Sequence, residues 1–379
     1  MPDVLIVADT LRSPELRHEV PLAVLDPFLY AEVGGKRSVV VGSLEASRLR
    51  DLGTDLDVLT LEEVGLDELL KRGFDTYALR LEVNLAACKH LGLERAVTPG
   101  SFPLADADFL REHGIEVAAD QPFFDERRRI KTEYELAGIR RACRAVEAGI
   151  AVGVDMLRGA SRGNGTLTLA GEPLTCERIK LEVERAFGEH GAAAEEFIIS
   201  HGAQTAVGHD GGSGPIASDD VVLFDLFPRD RESGCFSDFT RTFSLGPTSD
   251  ELAEYHRLSK EALDLAVAAV KPGVKGSDIH RAVCDFFHAH GHKTQLHKAE
   301  GEVLVDGYHH ATGHGVGLEV HERPGVGRVE SEPLVAGDVI ALEPGLYRTG
   351  YGGVRLEDLV LVTEDGAEVL TSFPYDFEL

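Results

Sequence analysis

The chain has 379 residues, of which 43% are hydrophobic and 27% charged, the balance of a soluble globular protein and enough length for about two domains. Acids outnumber bases 65 to 38, and the resulting net charge of −27 repels phosphate backbones and anionic lipid, which argues against nucleic-acid and membrane partners. No apolar run approaches the roughly 18 residues of a membrane span, no basic signal region is visible, and five scattered cysteines (Cys88, Cys143, Cys176, Cys235, Cys284) without a CxxC pair read as free thiols of a cytoplasmic protein.

In chain order, residues 4–7, 38–41 and 58–59 read as strands, while residues 14–20, 45–52 and 62–71 have helical spacing. This is an α/β pattern, expected to give a small sheet covered by helices, and it contains no phosphate-binding glycine loop. The stretch DQPFFDERRRIK at residues 120–131 is dense in charge and interrupts the periodicity. It sets the expected boundary between a smaller α/β domain, residues 1–125, and a second domain, residues 126–379. An amphipathic helix is expected from residue 132 to about 152, with Leu136, Ile139, Ala142, Val146 and Ile150 on its apolar stripe. Further helical patterns at residues 175–190, 250–270 and 277–290 alternate with glycine-rich strands and loops, so the second domain reads as α+β.

A weak internal repeat carries the chemistry. SDDVVLFD at residues 218–225 resembles AGDVIALE at residues 336–343: a turn, an acid, four apolar residues and a second acid. Runs apolar on both faces are buried strands, so Asp225 and Glu343 end buried runs, where an ionised carboxylate must be paired or bound to a cation. Each is followed by a second acid-bearing strand, Asp238 in SDFTRTF and Glu357 in VRLEDLV, 13 and 14 residues on. Those separations suit hairpins. Two similar halves would then meet about a pseudo-twofold axis with four carboxylates converging, an arrangement that two divalent ions would neutralise.

Between the copies lies HHATGHGVGLEVHERP, residues 309–324. Glycines on both sides of His314 let backbone approach closely, and an imidazole among carboxylates favours manganese, cobalt, zinc or iron over calcium and magnesium. His321 lies seven residues on, a spacing that gives no chelating pair on one regular strand, so it reads as a donor outside the metal or towards substrate. Upstream, the small-residue loop SHGAQTAVGH places His209 16 residues before Asp225, within reach of the same region.

With these residues in hand, the stretch from about residue 132 to the C-terminus resembles the pita-bread metallopeptidases, which include methionyl aminopeptidase, Xaa-Pro aminopeptidase and Xaa-Pro dipeptidase (prolidase). The segments that carry the resemblance, in family order, are FDLF, SDFTRTF, GHGVGLEVHERP, ALEPGLY and VRLEDLVLVT. The resemblance implies a pita-bread fold preceded by a creatinase-type N-terminal α/β domain. It implies five ligands to two divalent ions, Asp225, Asp238, His314, Glu343 and Glu357, with manganese first and cobalt or zinc as alternatives. His209 and His321 fall on substrate-binding and catalytic histidines, Glu343 on the proton shuttle, and His310 and Arg355 on residues that support the ligands. The implied activity is hydrolysis of the bond before proline at the N-terminus of peptides, by an aminopeptidase, with a dipeptidase as the near alternative and a non-catalytic binding module as the remote one. A homodimer is the implied assembly. Residues 228–235, between the first two aspartates, read as a small insertion relative to the family.

Overall fold

Alternation along the first strand decides the architecture of the amino-terminal part: Val4 and Ile6 enter one apolar cluster, Leu5 and Val7 another. A strand buried on both faces must lie inside a sheet covered on both sides. The computed structural model describes every residue except Asn164 and Thr248, and it contains such a sheet. Strands β1 (Val4–Ala8), β2 (Phe28–Val33), β3 (Lys36–Val41), β4 (Asp57–Thr60), β5 (Arg95–Thr98) and β6 (Glu116–Ala119) lie in the order β4-β3-β2-β1-β5-β6. β1, β2 and β3 are antiparallel neighbours, and the outer pairs are parallel. Gly34 and Gly35, with φ of 58° and 83°, form the two-residue turn between β2 and β3, where left-handed backbone matches the strand twist.

These strands and their helices form a compact unit, Met1–Arg128. The helical pattern at residues 62–71 is realised only as Leu66–Leu70, because Gly65 turns the chain at φ 100°. The charge-dense stretch expected to interrupt the structure is a helix, Gln121–Arg129. Within the unit, Arg127 donates to Glu19 at 2.8 Å and to Glu32 at 3.0 Å, while Phe124 is buried.

The second unit, Arg129–Leu379, opens with the helix Glu133–Gly159, whose amino end is closed by a capping box between Thr132 and Glu135. It runs seven residues past its expected end. Gly149 and Gly153 let it approach closely, since a Cβ there would stand 2.7 Å from the Phe187 ring and 2.4 Å from the Phe224 ring. With the helix Cys176–Glu189 it covers the sheet formed by Ile198–His201, Val221–Leu226 and Phe239–Ser244. The second half repeats this plan. The helices Asp250–Ala269 and Gly276–Ala289 cover a sheet that includes Gly313–Gly315, Val339–Leu342 and Asp358–Val362, and a hairpin of Gly345–Arg348 with Gly352–Arg355 is inserted before the last of these. Each fully buried Phe or Leu in these layers contributes about 1.5–3 kcal/mol, so the two cores can carry a group of costly buried charges. Among the described residues, no helix is long and apolar enough to cross a membrane.

Candidate metal centre

On the strand Val221–Leu226, Val222, Phe224 and Leu226 pack beneath the helices, so Asp225 projects from the opposite face. Antiparallel pairing sets Asp225 across from Thr240, with Asp238 just before the partner strand. In the second half Leu342 lies across from Asp358, and the same register continued sets Glu343 opposite Glu357. His314 sits across from Ala341. Only glycine fits beside it: a Cβ on Gly313 would stand 1.8 Å from the Ala341 carbonyl oxygen, and one on Gly315 2.6 Å from the Arg323 backbone.

These strand ends converge. Ligand atoms of Asp238, His314 and Glu357 lie within 4.8 Å of one another, and His314 Nε2 is 3.6 Å from Asp238 Oδ2 and 3.9 Å from Glu343 Oε1. His314 Nδ1 lies 3.2 Å from the Gly315 carbonyl, which can only accept, so Nδ1 carries the proton and the Nε2 lone pair faces carboxylate oxygens. Asp225 stands in the same field but is engaged differently, accepting a short hydrogen bond from Arg355 Nη2.

The electrostatics describe a site that repels itself. Burial, then the charges of Glu357, Asp225 and Glu343, push the Asp238 carboxyl well above the usual carboxylate range. Burial and the charges of Asp225 and Glu343 do the same to Glu357. Burial raises Glu343 to about 7 against the pull of Arg355, and burial beside His321 lowers His314 to about 4. Asp238 Oδ1 is buried without a hydrogen-bond partner. An orphaned carboxylate oxygen, further acids and an imidazole lone pair aimed at one volume form the donor set that a divalent transition ion takes.

Two hydroxyls, a neutral imidazole and one guanidinium hold these donors in place. Thr240 Oγ1 donates to Glu357 Oε2 at 2.6 Å, and Arg355 reaches Thr240 Oγ1 at 3.4 Å and the Tyr347 hydroxyl at 3.2 Å. His310 Nδ1 donates to its neighbour's carbonyl, Ala311 O, at 2.7 Å, so Nε2 accepts from the Tyr347 hydroxyl at 2.9 Å. Burial and the Arg355 charge lower His310 to about 3, keeping it neutral, and its Nδ1 stands 3.7 Å from Glu343 Oε2.

His321 is exposed yet lies edge-on to His314, ring centroids 4.2 Å apart. The seven-residue spacing closes because the strand ends at Gly315 and residues 317–321 form bends. A buried ion pair between Lys131 and Glu322 fixes the end of that loop. His209 sits exposed in the turn after the short helix Gly202–Ala206; partial desolvation of the His321 ring against its neighbours, then the nearby His209, lowers His321. The structure therefore gathers all nine residues read from the sequence, with His209 the most peripheral. Sequence reasoning missed Thr240, Tyr347 and the Lys131–Glu322 pair. The available signal was a polar residue two positions beyond Asp238 on the same strand face.

Comparison with known proteins places the chain in a family. The sequence model of metallopeptidase family M24 matches residues 137–364. An uncharacterized peptidase of Staphylococcus aureus strain MSSA476 is 33% identical over 249 residues, which span 65% of this chain and 63% of the relative. The X-Pro aminopeptidase from Thermotoga maritima MSB8 is similar over 100% of this chain and 98% of its own, with a TM-score of 0.79 at 22% identity. The Xaa-Pro dipeptidase from Bacillus anthracis is similar over 100% and 95%, also with a TM-score of 0.79 at 22% identity. These two likenesses establish the fold, the pita-bread architecture with a smaller domain before it. With a family match over more than half its residues, the chain belongs to metallopeptidase family M24.

Proposed function

We propose that the protein is a dinuclear-metal peptidase that cleaves the bond before proline, acting on the N-terminal residue of Xaa-Pro peptides longer than two residues. The observation that carries this reading is the His314 Nε2 lone pair facing Asp238 and Glu343 at 3.6 and 3.9 Å, next to the orphaned Asp238 Oδ1. Asp225 would hold one ion, His314 and Glu343 mainly the other, and Asp238 and Glu357 both. Manganese is the first choice, with cobalt or zinc served by the same donors. Bound divalent ions supply positive charge that polarises the scissile carbonyl and lowers the pKa of water.

The chain's own groups do the rest. Glu343 takes a proton from the attacking water and delivers it to the proline nitrogen. That nitrogen bears no hydrogen in the scissile bond, so it must be protonated to leave as an amine. His321 and His209 donate to the substrate carbonyl and to the oxygen that gains charge. Arg355, itself joined to Tyr347 and through it to His310, holds Asp225 in orientation. A cytoplasmic homodimer completes the proposal, on the strength of the family resemblance.

The test is turnover of Ala-Pro against Ala-Pro-Ala by protein stripped with chelator and reloaded with manganese. The expected result is efficient cleavage of Ala-Pro-Ala. Cleavage of Ala-Pro alone would make the protein a dipeptidase, and no cleavage of either with manganese, cobalt or zinc would refute the peptidase reading.

A further inference from the structure

Along the strand Phe239–Ser244, Thr240 and Thr242 face the centre, donating to Glu357 Oε2 and to the Arg355 carbonyl. Arg241 faces the other way and is 1% exposed. All five of its N–H donors are used. Nη1 reaches the carbonyls of Thr240 at 3.0 Å and Glu357 at 2.8 Å. Nη2 reaches Asp358 Oδ1 at 2.9 Å and the Phe373 carbonyl at 3.0 Å, and Nε reaches the Pro374 carbonyl at 3.3 Å. The guanidinium plane is enclosed by the rings of Phe239 and Tyr375, each 4.1 Å away. The Tyr375 hydroxyl in turn donates to Asp358 Oδ2, and Thr371 Oγ1 donates to Asp358 Oδ1 at 3.0 Å.

We propose that Arg241 is a positioning residue for the metal centre, joining the backbone of Thr240 and Glu357 from behind to the C-terminal segment at Phe373, Pro374 and Tyr375, so that divalent-ion affinity depends on that segment although it touches no ligand side chain. Two of the five bonds end on the backbone of the residue carrying the Glu357 carboxylate and of the residue whose hydroxyl orients it. The remaining three bind the tail and Asp358. A rigid five-donor fork is needed to reach these directions together, and a lysine ammonium has three donors and no plane to stack between rings. The inference rests on the reading of Glu357 as a metal ligand.

The test is calorimetric titration of the full-length, metal-stripped protein with manganese alone, alongside thermal unfolding in chelator, for wild type, Arg241→Lys, Tyr375→Leu and Glu357→Gln. The expected result for Arg241→Lys, folded at the titration temperature, is an ion dissociation constant raised about 10–100-fold, the range for residues that orient ligands. Tyr375→Leu should raise it in the same direction and less. A purely structural role would lower the unfolding temperature and leave the affinity of the folded protein alone. Unchanged affinity in both variants, with Glu357→Gln weakened, would overturn the brace while leaving the ligand assignment standing. Should Arg241→Lys not fold, Tyr375→Leu decides. Unchanged affinity in Glu357→Gln would instead remove the assignment on which the inference rests.

Discussion

Replacing Glu343 by Gln should stabilise the metal-free protein while abolishing its activity. Burial lifts the Glu343 carboxyl from 4.5 to about 7 in the folded state. The folded protein therefore holds this proton where the unfolded chain has released it, and stability falls as pH rises from about 4.5 to 7. At 1.36 kcal/mol per pKa unit, the ionised side chain costs the native state on the order of 3 kcal/mol above pH 7. The rise to about 7 already includes the opposing pull of Arg355, whose Nε stands 4.0 Å from Oε2, and the two imidazoles nearby stand 3.7 and 3.9 Å from its oxygens, beyond hydrogen-bond reach. Glutamine keeps the shape and removes the charge. In chelator at pH 8, Glu343→Gln should unfold roughly 6–12 °C above wild type, at about 2–4 °C per kcal/mol for a domain of this size. The gap should close as pH is lowered towards 4.5, and saturating manganese should reverse it, because only the wild type gains the ligand. Thermal unfolding followed by circular dichroism across pH 4.5–8 reads this directly. A folded Glu343→Gln variant no more stable than wild type in chelator at pH 8 would refute the strain assigned to this carboxylate.

Three further outcomes follow from other parts of the second unit. Tyr347→Phe removes the hydroxyl between His310 and Arg355 and should lower kcat/KM for Ala-Pro-Ala about tenfold or more, with an unfolding temperature close to wild type. Gly313→Ala places a methyl 1.8 Å from the Ala341 carbonyl oxygen, so it should part the two strands, cost at least about 1–3 kcal/mol in urea unfolding, and weaken manganese binding. His256 is lowered to about 4 by burial, then by Arg241 and Lys260. The unfolded chain therefore takes up a proton that the folded protein refuses between about 6.5 and 4, and stability is lost as pH falls through that window. The stability difference between wild type and His256→Phe should shift against wild type by up to about 3 kcal/mol from pH 7 to pH 4, measured by urea unfolding at each pH.

Much of the site was legible because a buried apolar run that ends in an acid is physically expensive, and the chain contains two of them, at Asp225 and Glu343, each followed by a second acid. Glycines beside His314 were legible for a similar reason, and the structure supplies the close backbone contacts that require them. What stayed hidden depends on partners distant in sequence. The charge-dense residues 120–131 read as a break in periodicity between domains, yet Arg127 neutralises Glu19 and Glu32, about a hundred positions earlier. Thr240 is one of several polar residues in its strand, and Tyr347 looks like part of an apolar one. Their value emerges only when the halves meet and bring Glu357 and Arg355 alongside. His321 was placed off any common strand face with His314, which is correct for a strand, but the intervening bends bring the two rings together.

The internal repeat also conceals an asymmetry that matters for chemistry. Glu343 and Glu357 fall opposite each other in register, whereas Asp225 lies across from Thr240 and Asp238 is displaced by two positions. Residues 228–235 absorb the offset. Arg229–Asp230 pairs with Ala192–Ala193, and the buried Asp230 carboxylate accepts from Arg141 at 2.9 Å and from the Ser233 amide at 2.7 Å. As a result Asp225 meets the Arg355 guanidinium while Asp238 joins His314 and Glu357 with one oxygen unpartnered. Fully ionised, four carboxylates against one guanidinium leave three negative charges. One divalent cation leaves the centre negative, which opposes charge developing on a carbonyl oxygen; a second makes it positive by one, the sign that stabilises it. The charge count thus favours a pair of ions over a single one, and the offset sets the direct guanidinium hydrogen bond at Asp225, the residue assigned to one ion alone.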